Sequence, residues 1–190
     1  MPRERHERHG DPHPHRHDSP HSESASASEH KSAAPAQVAA YVITCSDSRD
    51  ATRDESGQTI RTALEEKGHR VCGYRVVPDE MAQIRSAIDE ASQVGAQVVI
   101  LNGGTGIGRR DNTIEVLEQL LEKKLPGFGE LFRYLSFKEI GSPAMMSRAL
   151  AGTYRGMVLF ALPGSPQAAR LALEALILPE LGHAVRELSR

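Results

Sequence analysis

Three aspartates stand just beyond strand-like runs: Asp47 after Val38 to Thr44, Asp79 after Val71 to Val77, and Asp111 after Val98 to Asn102. Between the last run and Asp111 lies Gly103-Gly104-Thr105-Gly106-Ile107-Gly108-Arg109-Arg110. Glycines permit close approach of a ligand to the backbone, so their N–H groups can cradle an anion. Arg110 and its neighbour Arg109 add positive charge, and Asp111 offers a carboxylate to a cation or hydroxyl. This is a donor set for Mg²⁺-assisted work on phosphates, in which one or two carboxylates share the ion with substrate oxygens. Each feature also has a plainer reading. The glycines alone fit a tight strand–helix turn, Asp47 a solvated loop, Asp79 a helix cap or first-turn acid, and Arg110 an exposed helix start. The glycine spacing matches neither the Walker loop nor the dinucleotide fingerprint. The adjoining Arg-Arg-Asp and the recurrence of acids at successive strand ends favour a site.

Those residues need a scaffold that puts strand ends side by side. Apolar β-branched runs alternate with helical patterns from Val38 onward. Val38 to Thr44 is a strand, followed by a polar loop and a helix that Ser56 caps, running to about Lys67 and stopped by Gly68. Val71 to Val77 is a strand, and the next helix buries Ile84 and Ile88. Val98 to Asn102 leads through the glycine loop to a helix with Ile114, Leu117, Leu120 and Leu121 on its apolar face. Pro126 to Gly129 breaks the pattern. A short helix from Glu130 to about Lys138 has Leu131, Phe132 and Leu135 as core, and another spans Ala144 to Leu150 with Met145 and Met146 packed inward. Met157 to Leu162 is a strand, and Pro163-Gly164-Ser165-Pro166 a rigid turn in which Ser165 is exposed enough to touch a ligand. Helices at Gln167 to Leu176 and Pro179 to Leu188 close the chain. The implied fold is α/β: a three-layer, doubly wound, mostly parallel sheet with its functional loops along one edge.

Composition narrows the function. A net charge of −2 and 4% aromatic residues give neither a basic surface nor a stacking platform, which argues against nucleic acid as a partner. The apolar runs are too short for a membrane span, and no secretory signal opens the chain. Cys45 and Cys72 are too few for a disulfide framework and fit a cytoplasmic protein. His69 and His183 fall in a helix-end turn and a terminal helix, so no Ser-His-Asp or Cys-His set forms, against nucleophilic acyl chemistry. Residues 1–37 differ from the rest, being rich in His, Pro and Ser. They are expected to be disordered, with His13, His15 and His17 read as part of a solvated extension in preference to a metal-scavenging tail. Residues 38–190 form the single folded domain.

Four motifs occur in order: Asn102 to Asp111, Pro126-Gly-Phe-Gly-Glu130, Ser147-Arg-Ala149 and Leu162-Pro-Gly-Ser-Pro166. Together they resemble the MoaB/MogA family of molybdenum cofactor biosynthesis proteins. The run Phe128 to Gly141 leans toward the MoaB branch, and Asp47 falls in a loop similar to the family's Ser-Asp-x-Arg region. The resemblance implies a molybdopterin-binding-like fold, assembled as a trimer or trimer-based hexamer. It implies adenylylation of molybdopterin by ATP with Mg²⁺. Asp111 matches the acid after the family's glycine loop and Asp79 the acid of its Val-Pro-Asp-Glu element, both catalytic and metal-positioning. Gly103, Gly104, Thr105 and Gly106 match the phosphate cradle, with Asp47, Arg110 and Ser165 bordering the substrates. Some MoaB-branch members lack the second acid, whereas this chain keeps both. Asn102 departs from the usual Thr. A non-catalytic molybdopterin binder or carrier is the alternative.

Overall fold

The computed structural model describes residues 35–190, so the expectations for the His-rich segment before Pro35 lie outside the described residues. Six strands form one sheet. They are β1 (Ala39–Cys45), β2 (Arg70–Val77), β3 (Val98–Asn102), β4 (Lys123–Lys124), β5 (Leu150–Tyr154) and β6 (Met157–Leu162), in the spatial order β2-β1-β3-β6-β5-β4. β2, β1, β3 and β6 run parallel, whereas β5 and β4 complete the sheet antiparallel. The doubly wound, mostly parallel arrangement is therefore present.

The helices are α1 (Glu55–Glu66), α2 (Met81–Gln93), α3 (Thr113–Leu120), α4 (Pro126–Ile140), α5 (Pro166–Ala172) and α6 (Leu178–Leu188). The period-2 alternation of each central strand sends its side chains to both faces. Ala40, Val42, Val98 and Ile100 pack with Ile60, Phe132 and Leu181 on one side. Tyr41, Ile43, Val99 and Leu101 pack with Ile84, Ile88 and Leu117 on the other. Both faces are covered, which gives three layers. No helix among the described residues is long and apolar enough to cross a membrane.

Several local expectations are corrected. Asp54, not Ser56, caps α1, accepting from the Gly57 N–H at 3.0 Å; Ser56 lies inside the helix, fully buried. α4 starts at Pro126 and runs to Ile140, because proline fits the first helical turn, where its missing N–H has no partner to lose. The segment read as a helix from Ala144 to Leu150 is instead a short 3₁₀ turn, Ser142–Met146, followed by β5. β5 and β6 form a hairpin whose turn residues Arg155 and Gly156 have φ of 47° and 73°. Positive φ at both centres is the type I′ geometry, whose twist matches the strands it joins. Leu131, Met145 and Met146 are exposed, not packed inward. α5 and α6 are joined through a π-helical turn, Leu173–Ile177, without a break.

The topology places the site. Because β1, β2, β3 and β6 are parallel, the loops leaving them all emerge at one edge. The chain order reverses between β1 and β3, and such switch points open a crevice at the strands' carboxyl ends.

Candidate active site

β3 delivers the chain into a glycine turn that only glycine fits. Gly103 has φ of +90° and Gly104 of +61°. A Cβ at Gly103 would collide with the Cys45 carbonyl, and one at Gly104 with Asp79 Oδ1 and Thr113 Oγ1. The turn is pinned from the start of α3: the Thr113 N–H donates to the Gly104 carbonyl at 3.0 Å and its hydroxyl to the Gly103 carbonyl at 2.9 Å. Arg148 grips the next turn through Thr105, its Nε donating to that carbonyl at 3.1 Å while Glu115 holds the guanidinium at 2.5 Å. Gly104→Ala is thus expected to lower stability by about 1–3 kcal/mol and displace the Asp79 carboxylate. A denaturant titration with an unshifted midpoint would contradict this.

The loop wraps two acids. Asp111 accepts the Gly108 N–H at 2.7 Å, and a Cβ at Gly106 would lie 2.6 Å from the same carboxylate. Asp79 is buried, and its Oδ1 has no hydrogen-bond partner. Burial raises the Asp79 pKa above the usual carboxylate value, and the neighbouring charges of Asp111 and Asp47 push the same way. Asp79 does not cap α2, since that position belongs to Glu80, which makes no capping bond. Asp47 lies opposite, where it accepts the Asp79 N–H at 3.2 Å and takes Arg110 in a two-point ion pair at 2.6 and 2.9 Å. Hydrogen bonding from Arg110 holds the Asp47 carboxyl below its ordinary range and raises the guanidinium in turn. The pair is solvent-exposed and screened, so a phosphate can take Arg110 over at small cost.

Asp47, Asp79, Gly103, Gly104, Thr105, Gly106, Arg110, Asp111 and Ser165 all line one cleft of about 760 Å³. Its charged and polar groups share the lining with Phe132, Ile140, Pro143, Ala144 and Met146, a mixture suited to a phosphorylated ligand that also buries a ring system. Ser165 caps α5, its hydroxyl accepting the Ala168 N–H at 3.2 Å. Cys45 also lines the cleft, but burial pushes its thiol up to about 12, so it supplies no thiolate. Among the described residues no group of three or more His, Cys, Asp or Glu side chains is arranged to hold a metal ion by itself.

Two side chains that brace the cleft escaped sequence reasoning. Arg148, behind the Thr105 turn, is one. Arg49 is the other, donating from one nitrogen to Ser56 Oγ at 3.1 Å and to the Gly164 carbonyl at 2.9 Å. Both belong to short motifs, yet their partners lie far away in the chain. The same holds for Asn102, buried at the end of β3, which donates to Thr44 Oγ1 at 2.8 Å and accepts from Ser56 at 2.7 Å.

Known proteins are similar to this chain in sequence and fold. The family model described as "Probable molybdopterin binding domain" matches residues 41–183. Molybdenum cofactor biosynthesis protein B of Bacillus cereus is 48% identical over 167 residues, spanning 87% of this chain and 99% of that protein. A crystal structure of a molybdenum cofactor biosynthesis protein B, 48% identical, superposes with a TM-score of 0.80 over 83% of this chain and 99% of its own. The tungsten cofactor synthesizing protein MoaB of Pyrococcus furiosus, 39% identical, gives 0.76 over 83% and 100%. Agreement of sequence and fold across almost the whole length of these relatives means that the chain belongs to the MoaB/MogA family of molybdenum cofactor biosynthesis proteins.

Proposed function

We propose that this chain works in molybdenum cofactor biosynthesis by transferring the adenylyl group of ATP to molybdopterin, with Mg²⁺. The observation that carries the reading is the meeting of Asp79, Asp111 and the Gly104-Thr105-Gly106 turn in one cleft. The molybdopterin phosphate is already an anionic nucleophile. Its oxygen bonds to the α-phosphorus of ATP as the bond to the β-phosphate bridge breaks, and pyrophosphate leaves with that electron pair. No base or covalent residue is needed; the requirements are alignment and charge neutralisation.

The residues present fit Mg²⁺. Its carboxylate ligands would be Asp111 and Asp79, whose Oδ1 lacks a protein partner. Mg²⁺ bound there would neutralise charge on the reacting phosphates. The amides of Gly104, Thr105 and Gly106 hold phosphate oxygens, whereas the Gly103 N–H, expected to join them, already donates to the Leu162 carbonyl at 3.0 Å; Arg110 releases Asp47 to meet the same charge, and Ser165 borders the pterin. Incubation with molybdopterin, ATP and Mg²⁺ is expected to yield adenylated molybdopterin and pyrophosphate. Binding of molybdopterin without consumption of ATP would instead indicate a carrier. The work belongs in the cytoplasm, where ATP is available and the free Cys45 and Cys72 stay reduced.

The acting unit is a homotrimer or a trimer-based hexamer. Leu131, Tyr134, Phe137 and Ile140 recur every third residue along α4 and are 49–60% exposed, an apolar stripe suited to another copy of the chain. Paired Leu131→Glu and Phe137→Glu substitutions are expected to yield monomers, checked by light scattering coupled to size-exclusion chromatography. A trimer that survives both changes places the interface elsewhere.

A further inference from the structure

The cleft has two walls, and they are fastened differently. On the phosphate side Thr113 binds the Gly103 and Gly104 carbonyls, Arg148 binds Thr105, and the Gly103 N–H donates to the Leu162 carbonyl at 3.0 Å. The neighbouring wall, the Pro163-Gly164-Ser165 turn after β6, packs beside Gly103 and has a further anchor. Arg49 reaches it from the loop after β1, 115 residues earlier, and donates to the Gly164 carbonyl at 2.9 Å. The same nitrogen meets Ser56 Oγ at 3.1 Å. Ser56 is fully buried and hydrogen-bonded to Asn102 and Asp54, so the far end of the tether is rigid. The Arg49 backbone is fixed in turn, its N–H donating to Ser46 Oγ at 3.2 Å.

From this geometry we infer that Arg49 is a positioning residue that sets the width of the cleft on the Ser165 side and thereby governs affinity for molybdopterin, not for ATP. The inference rests on the proposed function, which puts the pterin beside Ser165. Arg49 acts through the Gly164 carbonyl, a charge-assisted hydrogen bond that holds the turn against the core. Arg49 itself makes none of the bonds that fasten the phosphate cradle, and the Gly103–Leu162 bond stays in place without it, so the two substrates are expected to respond separately.

The test compares wild type, Arg49→Met and Arg49→Lys as full-length protein. Measurements are molybdopterin binding without ATP, steady-state kinetics for both substrates, thermal melting, and amide hydrogen exchange of the peptides carrying Gly164 and Gly104. For Arg49→Met, molybdopterin affinity is expected to fall about tenfold, with kcat and the KM for ATP within about twofold. Exchange rises at the Gly164 peptide only. Arg49→Lys keeps one donor within reach of Gly164 and recovers about half of the loss on a logarithmic scale. Wild-type affinity in Arg49→Met overturns the inference, as does an equal loss for both substrates or a fall confined to kcat. A melting temperature lowered in step with the binding loss, with faster exchange at both peptides, overturns it too, since it marks general destabilisation. If the wild-type chain binds no molybdopterin, the functional reading fails, and with it the ligand assigned to this wall. The tether is then decided by exchange alone, and an unchanged Gly164 peptide overturns it.

Discussion

Asp111→Asn is expected to reduce the adenylylation rate about 10³-fold, equivalent to about 4 kcal/mol of transition-state stabilisation, while leaving the fold intact. The two expectations separate because the side chain has two jobs. One oxygen accepts the Gly108 N–H at 2.7 Å and shapes the turn, a task the amide oxygen of Asn performs equally well. The other job, the negative charge that would hold Mg²⁺ against the phosphates, has no substitute in Asn. Glycines at 106 and 108 leave just enough room for the carboxylate, since a Cβ at either would lie within 2.8 Å of Oδ2, so the isosteric amide fits without shifting the loop. Steady-state turnover with molybdopterin and Mg-ATP, set beside a melting curve, checks both halves. A variant that turns over within about tenfold of wild type would remove Asp111 from the metal. A variant that melts much earlier would show that the acid is chiefly structural.

The rim containing Asp111 was legible because its signals are local. A β-branched run ending in glycines, and a strand stopped at Val77-Pro78-Asp79, state their geometry within a few residues, and a parallel sheet then carries them to one edge. The buried faces of α2 and α3 followed from spacing for the same reason. What was not legible depends on distant partners. Arg49 looks like one more charge in a polar loop until Gly164 is folded against it. Asp47 and Arg110 lie 63 residues apart, and only the fold reveals that each already has a partner. Leu150-Ala-Gly-Thr-Tyr154 carries too little apolar periodicity to announce a strand, and it is the Arg155-Gly156 turn that folds it back onto β6. Leu131 and Met145 read as core because they are apolar, yet a lone chain leaves them bare. Apolarity reports that a surface needs covering, not whether the same chain covers it.

Asp79→Asn is expected to do two opposite things: lower turnover about a hundredfold at neutral pH and raise thermal stability. Asp79 is buried with one carboxylate oxygen unpartnered, facing the charges of Asp111 and Asp47. Burial first, and those two acids second, lift its pKa above the unfolded value, so the folded chain keeps this proton to higher pH than the unfolded chain does. The stability the group contributes is therefore complete below the unfolded carboxylate pKa of about 3.9 and is lost as pH rises through the raised folded value. Asn has no proton to lose and escapes that loss. The melting temperatures of variant and wild type should nearly coincide at about pH 4 and separate toward pH 7, where the variant melts higher. Catalysis runs the other way, because the ionised carboxylate is the form that holds a cation. Wild-type turnover should fall as pH drops through the raised pKa, while the residual activity of Asp79→Asn should lack that acid limb. A variant less stable than wild type at pH 7 would show that the charged form is welcome in the folded chain, and that the strain attributed to this acid, and with it the argument for a cation beside it, is misplaced.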